Sequence, residues 1–508
     1  MRDSDRQSGF PAARSPFQGR RGNKPRSLQA NWWARACAAV VLCAAAAIAL
    51  PAQTFNPLLG FNGADGAGPY AGLVQGPDGN LYGTTSGGGA QGYGTIFKIT
   101  SRGELTTLYS FCSQSNCADG ARPNAGLVQG RDGNFYGTTY RGGANGSNYG
   151  TVFKITPSGT LATLYNFCLR SECTDGTNPE SGLVQGTDGS LYGTTAYGGN
   201  GSDSGTVFKI ALNGTLKTLH SFCSESGCTD GAGPFAGLIE AIDGNFYGTT
   251  ARGGDLSACP SDGGCGTVFK ITPEGALTTI ESFDYAVGAN PTAALVQATD
   301  GNFYGTTYNG GSQGYGAVFK IAPAGTLTTL YSFGCQGGCV NGANPGAGLV
   351  QGTDGNFYST TQYGGADGYG TVFKITPAGT LTTLHSFDGR KGELPYAALV
   401  QDTNGTFYGT TPYGGPSDDG TIFHLSVGLG PFVETQPTSG RLGTHVKILG
   451  TNLTGSTSVT FNGTPATFTV VSPSLIRTTV PAGATTGTVQ VVTPGGTLKS
   501  NVPFRVVQ

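Results

Sequence analysis

The stretch AGLVQGRDGNFYGTTYRGGANGSNYGTVFKITPSGTLATLYNF, residues 125–167, decides the fold. It divides into four short apolar segments, AGLVQG (125–130), NFYGTT (134–139), GTVFKIT (150–156) and TLATLYNF (160–167). Between the first two stands Asp132-Gly133, a two-residue hairpin signal, because a type I′ turn needs positive φ at both central positions. Gly142-Gly143 opens the next loop and Pro157-Ser158-Gly159 makes the third turn. The segment therefore predicts four antiparallel strands, one propeller blade.

The same string recurs along the chain. Its turn dipeptide stands at Asp78-Gly79, Asp132-Gly133, Asp188-Gly189, Asp243-Gly244, Asp300-Gly301, Asp354-Gly355 and Asn404-Gly405, at intervals of 50–57 residues. A period this long with this many turns indicates a propeller or a solenoid, and seven copies predict a seven-bladed β-propeller over 53–428. The seventh copy stops after its third strand, while residues 54–61 (TFNPLLGF) resemble the missing fourth strand and stand alone before the first copy. The N-terminal strand is thus expected to complete the last blade, which removes two open sheet edges. After a linker at 427–430 the pattern changes, and 431–508 packs six or seven short strands into under 80 residues, as a small immunoglobulin-like sandwich requires.

Composition agrees with an all-β chain: 88 Gly, 10% aromatic and only 11% charged residues. Residues 1–52 read as a signal peptide of the Sec type. A basic region, 1–35, carries eight Arg or Lys against two Asp, and an apolar run, ACAAVVLCAAAAIAL at 36–50, is short for a membrane span. A retained anchor is the alternative. Without the leader, 20 basic residues (28 less 8) face 28 acidic ones (30 less 2), which argues against a nucleic-acid partner. No membrane span is expected in the mature chain, and a monomer is.

Ten cysteines beyond the leader form five close pairs, Cys112/Cys117, Cys168/Cys173, Cys223/Cys228, Cys259/Cys265 and Cys335/Cys339. No histidine or second cysteine cluster accompanies them as metal ligands would, so local disulfides and an oxidising compartment are predicted, with no metal or cofactor. The chain is expected to be exported, extracellular or on the cell surface.

The repeated polar residues have plain structural readings. The turn Asp or Asn of each copy could ligate calcium, but the turn already explains it. Lys98, Lys154, Lys209, Lys270, Lys320 and Lys374, with His424 in the seventh copy, read as solvent-side residues of the third strand; a cationic ring facing the channel is the alternative. His220 and His385 occupy a slot held by Tyr109, Tyr165 and Tyr331, and His445 lies in the tail, so no catalytic group assembles and a non-enzyme is expected. Binding falls to the loop between second and third strands. Tyr140, Tyr197, Tyr308, Tyr363 and Tyr413 precede its Gly-Gly, and Tyr93, Tyr149, Tyr315 and Tyr369 follow it. Such rings can stack on sugars or pack on a protein; inter-blade packing is the competing role. Residues 256–265 (LSACPSDGGC) depart most from the other loops and are the candidate for a blade-specific contact.

The recurring DGNFYGTT, GG and GTVFKI resemble the GloVer (Gloeobacter/Verrucomicrobia) tandem repeat over 54–428. The tail resembles an IPT/TIG domain through Ser439-Gly440, Gly443, GTNL at 450–453, Phe461-Asn462-Gly463 and Val480-Pro481. Both resemblances imply surface or secreted proteins without a known reaction. The expected function is a non-catalytic scaffold binding an extracellular glycan or protein. The alternatives are a propeller lyase or glycan hydrolase using the central channel, and a purely structural envelope protein.

Overall fold

The computed structural model describes residues 53–144, 148–260 and 263–507; the leader expected at 1–52 lies outside them. Among the described residues the regular structure is β throughout, apart from single 3-10 turns such as Ser115–Cys117. The first sheet consists of Val74–Gln75, Leu81–Thr85, Thr95–Ile99 and Leu105–Ser110, adjacent in that order and antiparallel. Six sheets of this kind follow one another along the chain. A seventh is made of Val400–Gln401, Phe407–Thr411, Thr421–Ser426 and the N-terminal strand Thr54–Gly60, which pairs with Thr421–Ser426 from Thr54 opposite Ser426 to Gly60 opposite Thr421. The sheets are called blades 1–7 below, the last being the one that joins the two ends of the array.

One difference from the sequence reading concerns the innermost strand, which keeps only its Val-Gln pair in the ladder. The Ala-Gly-Leu before it passes so close to the neighbouring inner segment that a Cβ on Gly72 would meet the Ala398 carbonyl oxygen at 2.9 Å. These residues serve the channel wall rather than the sheet.

The motif FYGTT shows why blades stack. Successive side chains of a strand point to opposite faces. The Tyr of one blade therefore meets the Phe of the next: Tyr82 on Phe135, Tyr247 on Phe303, Tyr304 on Phe357 and Tyr358 on Phe407, with centroids 4.1–4.2 Å apart. Where the partner is Leu191 or Leu81, the same slot is filled by Leu under Tyr136 or Tyr408. The central Gly is a packing requirement, since a Cβ on Gly83 would stand 2.6 Å from Phe97 and 2.7 Å from Leu73. In blades 1–6 the Tyr hydroxyl also donates to the turn Asp four residues before it, at 2.9 Å in Tyr82–Asp78 and Tyr136–Asp132. The same Asp takes the third-strand lysine, Lys154 on Asp132 at 3.0 Å and Lys209 on Asp188 at 2.7 Å.

Three tiers of hydrogen bonds cross between blades. At one end the backbone N–H of the residue before each Pro donates to the loop of the previous blade: Gly68 to Asp419, Arg122 to Tyr93, Asn178 to Tyr149, Gly233 to Ser204, Asn290 to Cys265, Asn344 to Tyr315 and Leu394 to Tyr369, at 2.7–2.9 Å. All seven donors have φ of 53–63°, the left-handed region that suits Gly or Asn. In the middle tier the first Thr of each GTT donates to the next inner segment, as Thr84 to the Ala125 carbonyl (2.9 Å) and Thr410 to that of Ala71 (3.0 Å). Thr360 has no such partner; Ser359, which replaces the motif Gly, bonds within its own blade instead. At the Asp-Gly end the inner-strand Gln accepts from the turn N–H of the previous blade, as Gln185 from Arg131 (2.9 Å) and Gln75 from Thr403 (3.1 Å). Gln129 alone is orphaned in this tier, because its donor would be Pro77, which has no N–H.

The C-terminal sandwich pairs Glu434–Gln436, His445–Leu449, Leu475–Thr479 and Phe468–Ser472 in one sheet, and Thr464–Pro465, Ser458–Phe461, Val489–Thr493 and Gly496–Lys499 in the other. Between them lie Val446, Ile448, Val459, Phe461, Ile476, Val491 and Phe504. The sandwich rests on the Asp-Gly end of the propeller. Ser474 donates to the Pro77 carbonyl (2.9 Å) and Asn501 to that of Gln351 (2.7 Å), while Arg505 donates to the carbonyls of Ala241 (3.1 Å) and Ile242 (2.7 Å). Arg505 also pairs at 3.3 Å with Glu240, which stands where the other six blades have Gln. A largely apolar cavity of about 550 Å³ remains between the inner strands and Phe432, Val433 and Val502. At its edge, burial raises the Asp402 carboxyl to about 6 and that of Glu434 to about 7, the latter also through the Asp402 charge.

Leu394→Asn removes left-handed strain and adds the side-chain bond that Asn344 makes to the Tyr308 carbonyl (2.9 Å); it should raise stability by about 1 kcal/mol in urea unfolding. Phe61→Ala, in the cluster of Leu81, Phe97 and Tyr408 that joins blade 7 to blade 1, should cost about 3–5 kcal/mol in the same measurement. Arg505→Ala should speed proteolysis of the linker at 427–430. That cleavage should also be faster at pH 8 than at pH 5.5: with pKa values raised by burial, Asp402 and Glu434 hold protons more tightly in the docked state, so docking is strongest in acid and weakens as the pH rises through about 6 to 7.

Candidate functional site

The opposite end of the propeller carries the loops between second and third strands. The buried Thr pair at the end of the second and start of the third strand, Thr139 to Thr151 at 2.9 Å or Thr411 to Thr421 at 2.8 Å, fixes where each loop leaves its blade. Tyrosines are thereby held on a rigid rim. Tyr197, Tyr363 and Tyr413, directly before Gly-Gly, are exposed by 36–42%, whereas Tyr140 and Tyr308, one position earlier, are partly buried. The five thus occupy two registers rather than one ring. Tyr308 donates to Gln362 of the next blade at 2.7 Å, and burial with the neighbouring Tyr363 pushes its pKa up to about 12. Tyr93, Tyr149, Tyr315 and Tyr369 expose their rings by 40–43%, while their carbonyls accept the inter-blade bonds already described. Packing between blades is therefore done mainly by the Tyr of FYGTT, while the exposed loop tyrosines present ring surface to solvent even where, as in Tyr197 and Tyr413, they also touch the next blade.

Between blades 2 and 3 the loops enclose an open groove of about 770 Å³, which brings together Tyr140, Tyr149 and Tyr197 with Asn178, Glu172 and Asp203. Three aromatic faces and three polar side chains on one concave surface suit a ligand with alternating apolar and hydroxyl surface.

Nearer the axis, sequence reasoning missed a second set. The residue after the Pro that opens each inner segment is Tyr70, Asn124, Glu180, Phe235, Thr292, Gly346 and Tyr396 in blades 1–7. The Pro and the Ala or Ser that follows are repeated, so variation confined between them was the available signal. Tyr70 hydrogen-bonds Tyr413 through their hydroxyls and meets Tyr396 edge-on at 6.4 Å. Tyr396 lies over Gly346, where a Cβ would stand 3.4 Å from its ring. Its pKa is raised by desolvation and by the Glu180 charge of blade 3, across the ring. The Thr292 hydroxyl lowers it somewhat, although that oxygen lies outside hydrogen-bond geometry and has no partner. Glu180 itself is pushed up by burial alone. Tyr197 meets Phe235 edge-on at 6.3 Å, which joins groove and aperture.

The five cysteine pairs are disulfide-bonded: Cys112–Cys117, Cys168–Cys173, Cys223–Cys228, Cys259–Cys265 and Cys335–Cys339. The structure departs from the sequence reading in one respect, since spacing gave these residues a covalent role alone. The second cysteine of four pairs is also a backbone clamp. Cys228 and Cys339 are half-buried and each has φ of 52°, in the left-handed region that a residue with a Cβ seldom adopts. In that conformation the Cys228 carbonyl accepts from Gly231 and Gly254, both at 2.9 Å, and the Cys339 carbonyl from Gly342 (2.8 Å) and Gly365 (2.9 Å). Cys117 and Cys173 accept in the same way from Gly143 (2.9 Å) and Gly199 (3.0 Å). Gly143, Gly199, Gly254 and Gly365 close the Gly-Gly of the neighbouring rim loop, so each disulfide loop fixes the loop between second and third strands that follows it. Cys173, held so, lines the groove beside Tyr197. Cys265 has the separate role of accepting the inter-blade bond from Asn290.

In three of these loops a buried Asp organises the turn: Asp119 accepts from Ser113 N–H (3.0 Å) and from Tyr109 (2.8 Å), and Asp175 accepts from Tyr165 (2.7 Å). His220 fills the Tyr slot against Asp230 at 2.9 Å. His385 stacks on Phe55 of the closing strand at 3.5 Å, and its burial, with Lys391 nearby, lowers its pKa to about 4. His424 faces Tyr408. The loop at 256–265 exposes Leu256 by 40%, with residues 261–262 outside the described set. Among the described residues no group of three His, Cys, Asp or Glu could hold a metal ion, and no helix is long and apolar enough to cross a membrane.

Comparison with known proteins gives the following. The Gloeobacter/Verrucomicrobia repeat model matches residues 46–259 and 256–467, and the IPT/TIG domain model matches 432–506. No curated protein matches the chain in sequence. Solved structures similar to it include a fungal alcohol oxidase of the AA5 family in complex with copper, 14% identical with a TM-score of 0.49, covering 90% of this chain and 100% of that one. Others are the periplasmic gluconolactonase of Pseudomonas aeruginosa, 17% identical, TM-score 0.41, covering 69% and 97%, and a putative 6-phosphogluconolactonase from Bacteroides uniformis, 17% identical, TM-score 0.40, covering 65% and 88%. The C-terminal sandwich is an IPT/TIG domain, and the chain belongs to the family of Gloeobacter/Verrucomicrobia repeat proteins.

Proposed function

We propose that this chain is an exported, non-catalytic binding propeller that holds an extracellular glycan at its tyrosine-bearing end, with the IPT/TIG domain capping the other. The observation that carries this reading is the groove between blades 2 and 3, where Tyr140, Tyr149 and Tyr197 stand beside Asn178, Glu172 and Asp203. A sugar ring offers an apolar face for stacking and hydroxyls around its edge. Aromatic rings and carboxylate or amide groups are the matching partners. Five disulfides fit an oxidising compartment outside the cytosol.

The non-catalytic part of the reading draws on where the histidines lie. His220 is held by Asp230 beneath a disulfide loop, and His385 of blade 6 is stacked on Phe55 of the closing strand. Neither stands at the groove or the aperture, where an acid–base group would have to meet substrate.

The test is a glycan array probed with the purified protein, followed by titration of the best ligand. Tyr149→Ala together with Tyr197→Ala should lower affinity at least tenfold with the unfolding midpoint unchanged, while Leu442→Ala, exposed on the tail domain, should bind as wild type. An array without binders would sink the glycan reading, and release of reducing ends from a bound ligand would replace it by the hydrolase or lyase alternative.

A further inference from the structure

The bonds that seat the IPT/TIG domain come down on separate blades: Ser474 on blade 1, Arg505 on blade 4 and Asn501 on blade 6, at 2.7–3.1 Å. Among the inner strands between them lies the cavity of about 550 Å³ that neither domain fills. That volume falls within the roughly 300–1,000 Å³ of small-molecule sites. Its wall is made by the Val or Ile of the inner strands of blades 3–7, among them Val296 and Val350, and by Phe432, Val433 and Val502 from the other side.

The polar groups in this wall are already engaged. Gln185, Gln297 and Gln351 each accept a backbone N–H through the amide oxygen, from Arg131 (2.9 Å), Ile242 (2.8 Å) and Thr299 (3.0 Å). Each also donates through the amide nitrogen to the carbonyl of its own turn Gly, at 2.9–3.2 Å. Arg505 and Glu240 are paired with each other at 3.3 Å. Water is held in a cavity by several polar partners, and these are committed elsewhere, whereas apolar carbon gains by leaving solvent for such a wall. Of the charged residues lining the cavity, this leaves Glu434, which forms no ion pair among the described residues. Its carboxyl group repels an anion and can accept from a hydroxyl or an N–H.

We propose that this cavity is a second binding site, for an uncharged lipophilic molecule carrying one hydrogen-bond donor, and that its occupant fastens the IPT/TIG domain to the propeller. The apolar body lies against the inner-strand Val side chains and Phe432, and the donor meets Glu434. Because such a ligand touches both domains, it binds the docked state in preference to the undocked one, and occupancy is linked to docking. The site lies at the opposite end from the tyrosine groove and stands independently of the glycan reading.

The test uses the purified chain at pH 8, where Glu434 is mostly ionised, and two fluorescent probes of one skeleton. Phenylnaphthylamine is neutral with one N–H; anilinonaphthalene sulfonate adds an anionic group. The neutral probe is expected to bind one to one and the sulfonate about tenfold more weakly, a gap that Glu434→Gln should narrow. Val296→Trp, which fills the cavity from its wall, should remove the neutral probe's signal; where that variant shifts the unfolding midpoint, Val502→Trp, filling it from the other side, takes its place. Tyr149→Ala with Tyr197→Ala should leave the signal intact. The neutral probe at about ten times its Kd should slow proteolysis of the linker at 427–430 about tenfold. Absence of one-to-one binding, a signal that survives the tryptophan substitution or depends on the two tyrosines, a sulfonate that binds equally well, a gap unmoved by Glu434→Gln, or linker cleavage untouched by the probe would each overturn the proposal.

Discussion

The structure depends on closing a ring of identical sheets by hydrogen bonds that cross from each blade to the next. A four-stranded sheet of this length buries little by itself; its Tyr and Phe faces become a core only when a neighbour covers them. The ring has no terminal blade to leave uncovered, provided that blade 7 borrows its outer strand from the N-terminus. Every inter-blade contact must then be made seven times with the same geometry. That demand fixes the Gly, Asn, Thr and Gln positions of the motif before any ligand is considered.

Exceptions to the tiers show how strong the demand is. Gln129 loses its donor because Pro77 cannot supply one, and Thr360 loses its acceptor beside Ser359. Leu394 adopts the backbone of a Gly or Asn because the N–H there must still reach Tyr369. The ring tolerates these because each costs about 1–2 kcal/mol against many other bonds that remain. One exception is useful. Glu240 replaces the Gln of its tier, still accepts from the Thr187 hydroxyl at 2.7 Å, and thereby offers a charge for Arg505. A single substitution in a symmetric ring thus gives the IPT/TIG domain one blade to recognise, which fixes its rotation on a surface that would otherwise present seven equivalent seats.

Much of this was legible in the sequence. The period, the Asp-Gly and Pro-Ser-Gly turns, the orphan strand at 54–61 and the paired cysteines each state a local rule that the fold obeys. The clamp made by the carbonyls of Cys228 and Cys339 was not legible, because a backbone acceptor leaves no trace in residue identity. The tyrosines before Gly-Gly were recognisable as a rim. Their division into two registers was not, because one residue of offset in a loop reverses a side chain, and loop register is set by contacts with the next blade, as between Tyr308 and Gln362. Glu180 and Tyr396 were hidden for a related reason. They are 216 positions apart in the chain, and only closure of the ring brings blades 3 and 7 to opposite sides of one aperture. The seat of the IPT/TIG domain was also closed to sequence reading, since Arg505 gives no hint of its partner until the Asp-Gly end is built.

Symmetry also explains where the copies are free to differ. Inner positions that hold the blades together cannot vary, so a ligand that needs several different groups must be met by the one position per blade that the tiers leave free. Seven such positions face one aperture, and among the described residues only at blade 1 does an inter-blade hydrogen bond run through the side chain, between Tyr70 and Tyr413 of blade 7. Here aromatic rings stand at blades 1, 4 and 7 and one acid at blade 3, so rings stand both beside the acid and across the ring of blades from it. A seven-fold scaffold in this way yields an asymmetric aperture without disturbing its own closure.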